Sequence, residues 1–203
     1  MTQPEAKPRV KLTYEDYVAM TPPAIPGPRY QLIEGKLFRL PTPHLPHQTV
    51  FGQWMIQMAL QTESPGSGEV IIAPFDVILN EFNVFQPDLL YVSEARRHVL
   101  AQLGVNGAPD VVVEILSDPT RRRYLEMKLP IYGKEGVREV LAMDLDAETV
   151  TVYHGDGANP MPVRTLTAED ILTSDAMPGL SVDLRQIFER GRREIMEVFN
   201  SAR

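Results

Sequence analysis

Three observations predict a mixed α/β (α+β) domain with a central sheet covered by helices. The run Asp110-Val-Val-Val-Glu-Ile-Leu116 is almost continuously β-branched or aliphatic, the mark of a strand buried on both faces. Asp118-Pro119 follows directly and supplies the N-cap and first-turn proline of a helix over roughly 119–133. Alternating segments on both sides read as antiparallel strands, so the order is helix, antiparallel strands, buried strand, helix, strands, helix.

The elements follow in chain order. Residues 1–11 are polar and Pro-bearing and read as a disordered leader, with no apolar stretch of a secretory signal. A single domain is expected over 12–203, which suits a chain of 203 residues. Thr13 and Asp16 form a capping-box-like start to a short helix through Tyr14, Tyr17 and Met20. Five of the eight residues from Thr21 to Pro28 are Pro or Gly, so the helix cannot continue. Tyr30–Leu40 reads as a hairpin turning at Glu34-Gly35, and residues 47–62 as a helix whose Trp54 and methionines belong to the core. Strands are expected at 70–73, 75–79 and 86–92, then a helix from Ser93 to Leu103. Pro130 should kink or end the helix after Asp118, and Gly136 should close it. Val137–Leu145 and Thr149–Tyr153 form another hairpin, 155–182 reads as irregular with a helical turn after Thr167, and Leu184–Phe199 as a C-terminal helix.

Composition excludes several function classes. The 43% apolar and 23% charged residues are ordinary for a globular chain. With 20 Lys+Arg against 27 Asp+Glu, the net charge of −7 means that a polyanion must meet a local basic patch. The absence of cysteine excludes disulfides, thiolate zinc sites, iron–sulfur clusters and a Cys nucleophile. No apolar run approaches the roughly 18 residues of a membrane span, so a cytoplasmic location without membrane contact is expected. Walker, G-x-G-x-x-G and G-x-S-x-G motifs are all missing.

The chemically informative feature is charge placed where charge is expensive. Asp88, in Gln86-Pro-Asp-Leu-Leu-Tyr-Val92, and Glu114, within the buried run, carry desolvation penalties of several kcal/mol. A buried Lys or Arg, a hydrogen-bond network or a divalent cation would each compensate them. On neighbouring strands the two acids would form an oxygen-rich pair suited to Mg²⁺. Arg121, Arg122 and Arg123 place three cations at a helix start, against the macrodipole, as phosphate contacts or as a solvated run; Arg96-Arg97 would extend the patch. His44 and His47 have zinc-pair spacing but lack a third soft ligand, and His98 and His154 have no supporting context.

The set Tyr30-Gln-Leu-Ile-Glu-Gly35, His47-Gln48, Gln86-Pro-Asp88, Pro109–Ser117, Lys128, Tyr132 and Gly136-Val137 resembles a family of bacterial putative restriction endonucleases. That family was long catalogued as a domain of unknown function and belongs to the PD-(D/E)XK nuclease superfamily; the likeness runs from about Tyr14 to Tyr153. It implies a restriction-endonuclease-like core, a central mixed sheet flanked by helices, and Mg²⁺-dependent (or Mn²⁺-dependent) hydrolysis of phosphodiesters, usually DNA. Asp88 and Glu114 resemble the metal ligands. The usual lysine position, two residues after Glu114, holds Leu116, and the resemblance assigns the role to Lys128 on the following helix. His47 resembles a site residue touching metal or phosphate.

Gln31 stands where relatives carry Glu, and Tyr124 where they carry Asp. Glu34 either compensates for Gln31 or is a turn residue. These departures keep a second reading open, a catalytically impaired relative that binds nucleic acid or protein; a hydrolase of another phosphate ester is a third. A homodimer is expected of a nuclease that cuts both strands, with the C-terminal apolar stripe (Ile187, Phe188, Ile195, Met196, Phe199) offering contacts or capping the chain's own core.

Overall fold

A computed structural model of the chain describes residues 11–20, 28–64, 66–155, 157, 160–190 and 192. Residues 1–10 of the expected leader lie outside them, while the Lys11 ammonium sits 5.4 Å from the Phe82 ring centroid. Helix α1 (Tyr14–Met20) starts on the expected box: Thr13 N–H donates to Asp16 Oδ2 at 2.8 Å and Asp16 N–H to Thr13 Oγ1 at 3.3 Å. Strands β1 (Tyr30–Ile33) and β2 (Lys36–Arg39) close through Glu34 (φ 52°) and Gly35 (φ 73°), the paired left-handed residues of a tight hairpin. Helix α2 (Leu45–Leu60) buries Val50, Trp54 and Met58, and the Trp54 indole N–H points at Met143 Sδ, 2.8 Å away.

Next come β3 (Glu69–Ile72), β4 (Asp76–Asn80), β5 (Asn83–Phe85) and β6 (Leu89–Val92). The sequence reading missed β5 and began β6 too early, because Pro87 has no N–H for a ladder. The expected 93–103 helix is a 3₁₀ segment, Glu94–Val99, followed by β7 (Leu100–Ala101) and β8 (Gly104–Asn106). Gly104 lets β8 lie parallel against β4, since a Cβ there would sit 2.9 Å from the Asp76 carbonyl oxygen.

Strand β9 (Val111–Leu116) leads through the Asp118 cap into α3 (Pro119–Glu135), which runs past Pro130 on its exposed side and closes at left-handed Gly136. Pro130 therefore does not end the helix. Strands β10 (Glu139–Asp144) and β11 (Thr149–His154) pair as expected. In place of an irregular 155–182 stand β12 (Met161–Thr167), β13 (Ile171–Thr173) and β14 (Ser181–Asp183). Residues of β12 are mostly exposed, with only Arg164 and Leu166 half-buried, so backbone pairing to β11 decides that strand. Residues 184–190 and Arg192 are helical, and Leu184, Ile187 and Phe188 pack in the same core as Trp54; the remaining residues of the expected C-terminal helix lie outside the described residues.

Two six-stranded mixed sheets result, ordered β2-β1-β5-β4-β8-β7 and β12-β11-β10-β9-β6-β3, with β13-β14 as a separate ribbon. Strand β9 is central in the second, parallel to β10 and antiparallel to β6. Its two-residue period divides the core. Val111, Val113 and Ile115 face Trp54 and Leu141, whereas Val112 and Leu116 face Leu125 and Tyr132 of α3. Glu114 lies between Val112 and Leu116, on the α3 side. Among the described residues no helix is long and apolar enough to cross a membrane.

The cap of α3 sets where its first turn meets the sheet, because Asp118 Oδ1 accepts from Thr120 N–H at 2.8 Å and Arg121 N–H at 3.1 Å. Asp118→Ala should lower stability by about 1 kcal/mol in urea unfolding, with Asp118→Asn recovering most of the loss.

Candidate active site

Glu114 is 6% exposed, and both of its protein donors come from one face of α3. Lys128 and Tyr132, four residues apart, reach the same oxygen: Lys128 Nζ lies 2.8 Å and Tyr132 Oη 2.6 Å from Oε1. Burial, and then the charge of Glu114, push the Tyr132 hydroxyl well above its ordinary pKa, so it stays protonated and donates. Phe85 lies under the ammonium, 5.6 Å from ring centroid to Nζ. Both contacts to Glu114 fall on Oε1, which leaves Oε2 for another partner.

Asp88 stands opposite Glu114. The β6–β9 register pairs Leu89 with Val113, and one step further brings residues 88 and 114 abreast. Opposed residues of antiparallel strands share a face, and the two acids line one cavity of about 10 Å³, with room for about one water-sized group. Lys128, Arg121, Arg29 and Gln86 line it too. Asp88 Oδ2 accepts the Ile115 N–H at 2.8 Å, Arg121 Nη1 lies 3.3 Å from each carboxylate oxygen, and His47 Nε2 is 3.2 Å from Oδ1 without hydrogen-bond alignment. Burial raises the Asp88 pKa, but His47, Arg121 and the Ile115 amide outweigh it and hold the carboxyl below its ordinary value.

The arginine triplet separates because successive helical residues point about 100° apart. Arg121 turns inward onto Asp88. Arg122 grips Asp144 through two 2.8 Å bonds and Asp146 through a 2.7 Å one, and Arg123 faces solvent. Arg96 is tied to the Gly136 carbonyl and Asp110, and Arg97 to Glu69 and Glu94, so neither extends a basic patch.

Glu34 is exposed at its hairpin turn and lines a different cavity, beside Lys134 and Glu135, away from Asp88 and Glu114. Gln31 is fully buried on the face of β1 that carries Ile33, the face packed against Leu125 and Tyr132. Tyr124 stacks edge-on against Phe38 and lines the cavity; His44 Nε2 lies 3.1 Å from the Ser117 carbonyl oxygen. His154 has a context after all: it lies 3.1 Å from Glu139, and with Asp175 their ligand atoms all fall within 4.8 Å of one another. Glu139 is on the opposite face of the sheet from Glu114 and is already satisfied by Ser174 Oγ–H and the Asp175 amide.

Sequence reading passed over Arg29 and gave Gln86 no role of its own. Arg29 ends a Pro-rich stretch and carries no motif signal. Among the described residues, the buried side-chain atoms without a hydrogen-bond partner belong to Gln31, His47, Gln86, Ser117 and Arg121. Three of these five residues line the cavity or touch Asp88, and an orphaned buried polar group costs about 1–3 kcal/mol. A hard cation fits this chemistry: two carboxylates with an unpaired amide oxygen, Gln86 Oε1, on the same wall. Arg121 competes for Asp88.

Because the folded pKa of Asp88 lies below the ordinary 3.8, its stabilising effect is present above that value and lost as pH falls through the folded pKa. Asp88→Asn in metal-free buffer should cost about 3 kcal/mol at neutral pH, since it leaves the buried Arg121 charge only its longer 3.7 Å contact with Asp118, and should flatten the acid limb below about pH 4 in denaturant titrations.

No curated protein matches the chain. Among solved structures it is similar to a protein described as a "putative nuclease belonging to DUF820" from Anabaena variabilis, with a TM-score of 0.70 and 16% identity over 89% of this chain and 99% of that one. At that identity the likeness establishes a shared fold of mixed sheets and flanking helices. The sequence model of the family described as "Uma2: Putative restriction endonuclease" matches residues 14–185, and with the fold it assigns this chain to the Uma2 family.

Proposed function

We propose that the protein is a Mg²⁺-dependent endonuclease that hydrolyses DNA phosphodiesters. The observation that carries this reading is the meeting of Asp88, Glu114 and Lys128 at one cavity whose wall holds unpaired buried polar atoms. Asp88, Glu114 Oε2 and Gln86 Oε1 would hold the cation; a bound Mg²⁺ or Mn²⁺ supplies Lewis-acid polarisation of a phosphoryl oxygen and a lowered pKa for water. Lys128 is held by Glu114 against Phe85 with its remaining N–H donors free to reach charge developing on the phosphate. Tyr132 fixes the Glu114 rotamer. The water oxygen forms a bond to phosphorus as one P–O ester bond breaks; the water gives up one proton to solvent and the departing oxygen takes one from it, so a phosphomonoester and an alcohol result. With a net charge of −7, the DNA must meet the local cations around this cavity rather than the general surface.

A second reading has a specific observation behind it. Arg121 already neutralises Asp88, and the buried Gln31 brings no charge, which favours a binding module without chemistry.

Mn²⁺ calorimetry separates the two: the wild type should give a binding event that Asp88→Asn loses, and no heat from either protein defeats the nuclease reading. In Mg²⁺, plasmid cleavage should fall about 100-fold or more in Lys128→Ala; equal cleavage by mutant and wild type would point to a contaminating nuclease. Gln31→Glu should lower the metal-free melting temperature, because it buries an unpaired carboxylate, and should enlarge the rise in melting temperature on adding Mn²⁺. A loss without that rescue would exclude Gln31 from the metal site.

A further inference from the structure

Three cations, Arg29, Arg121 and Lys128, line the inner cavity against two carboxylates, Asp88 and Glu114. Lys128 has Glu114 for a partner and Arg121 has Asp88. Arg29 has no such acid among the described residues. Among the described residues its guanidinium makes no hydrogen bond or ion pair, although burial disfavours its charge, Asp88 attracts it and Arg121 repels it. A half-desolvated guanidinium keeps five N–H donors in a planar fork that matches an anion's oxygens. A divalent ion between the acids would add positive charge to a wall already in cationic excess, which calls for an anionic ligand.

Position narrows the class of that anion. Arg29 lines both the inner cavity and an outer cleft of about 270 Å³, whose walls include Pro43, Phe51, Pro74 and His47. That volume is close to the lower limit of small-ligand pockets, about 300 Å³, and the apolar walls suit a planar base or a sugar. The Arg29 backbone is anchored where its carbonyl accepts the Leu40 N–H at 2.8 Å, so the side chain projects from a fixed strand end.

We infer that Arg29 is a phosphate-binding residue that holds a nucleic-acid phosphodiester at the mouth of the acidic cavity, with the adjoining nucleoside against Phe51 and Pro74. The inference rests on the phosphodiesterase reading and adds the residue that grips the substrate. Arg121 stays with Asp88, and Arg29 supplies the fork.

The test is fluorescence anisotropy of a short labelled DNA duplex in Ca²⁺, over a salt series, with wild type, Arg29→Gln and Arg29→Lys. Mn²⁺ calorimetry and thermal melts accompany each protein. Arg29→Gln should bind DNA about 10- to 100-fold more weakly and lose about one unit of the log–log salt slope, with the Mn²⁺ isotherm unchanged. Arg29→Lys should keep the slope and recover only part of the affinity. Wild-type affinity and slope in Arg29→Gln would overturn the inference, as would a parallel loss of Mn²⁺ binding, which would make Arg29 a support of the carboxylates. Should Arg29→Gln fail to fold, the slope and affinity of Arg29→Lys decide. If the wild type binds DNA but no Mn²⁺ and Arg29→Gln loses the DNA, Arg29 stands and the metal-dependent reading falls.

Discussion

Two carboxylates buried side by side at the end of a central sheet constrain everything around them. Side chains 88 and 114 share one face because their strands are antiparallel neighbours, and each alone would carry a desolvation penalty of several kcal/mol. The fold answers with separate cations from one helix. Lys128 and Tyr132 attend Glu114, while Arg121, seven residues earlier than Lys128, attends Asp88. Seven residues are close to two helical turns, so one face of α3 serves both acids. The cap at Asp118 and the left-handed stop at Gly136 hold that face in register.

This arrangement compensates each acid but does not satisfy the site as a whole. Among the described residues, Gln86 Oε1, the His47 ring nitrogens and Arg121 Nε remain buried beside the acids without hydrogen-bond partners. Cores close their polar groups wherever they can, and a cluster of open ones beside two acids marks a place shaped by something besides stability. The satisfied His154–Glu139–Asp175 group on the other face of the sheet shows the contrast: there every close contact already has a structural use.

Much of the fold was legible because local chemistry announced it. The Thr13–Asp16 box, the Glu34-Gly35 turn, the Asp118-Pro119 start and the β-branched run at 111–116 each act over a few residues, and each appears where expected. Strands β5, β8 and β12 were not legible: β5 and β8 have three residues each, too few to show a period, and β12 is mostly exposed and held by backbone pairing to β11. For the site, the acids could be picked out because charge in a buried run is conspicuous, and Lys128 through a family resemblance. Arg29 gave no such signal: an arginine after a Pro-rich stretch looks like any solvated residue.

The chain's own order of residues determined that a mixed α/β fold forms around a buried strand, that Asp88 and Glu114 need compensation, and that a helix bearing Arg121 and Lys128 follows that strand. Those are consequences of propensity, capping and desolvation, which act locally. Only the tertiary structure decided which arginine of the triplet turns inward, that Glu34 stays out, and that Arg29 lines the acidic cavity with no partner among the described residues. These outcomes depend on strand register and on helix rotation against the sheet, and both are set by long-range packing that no short window of residues encodes.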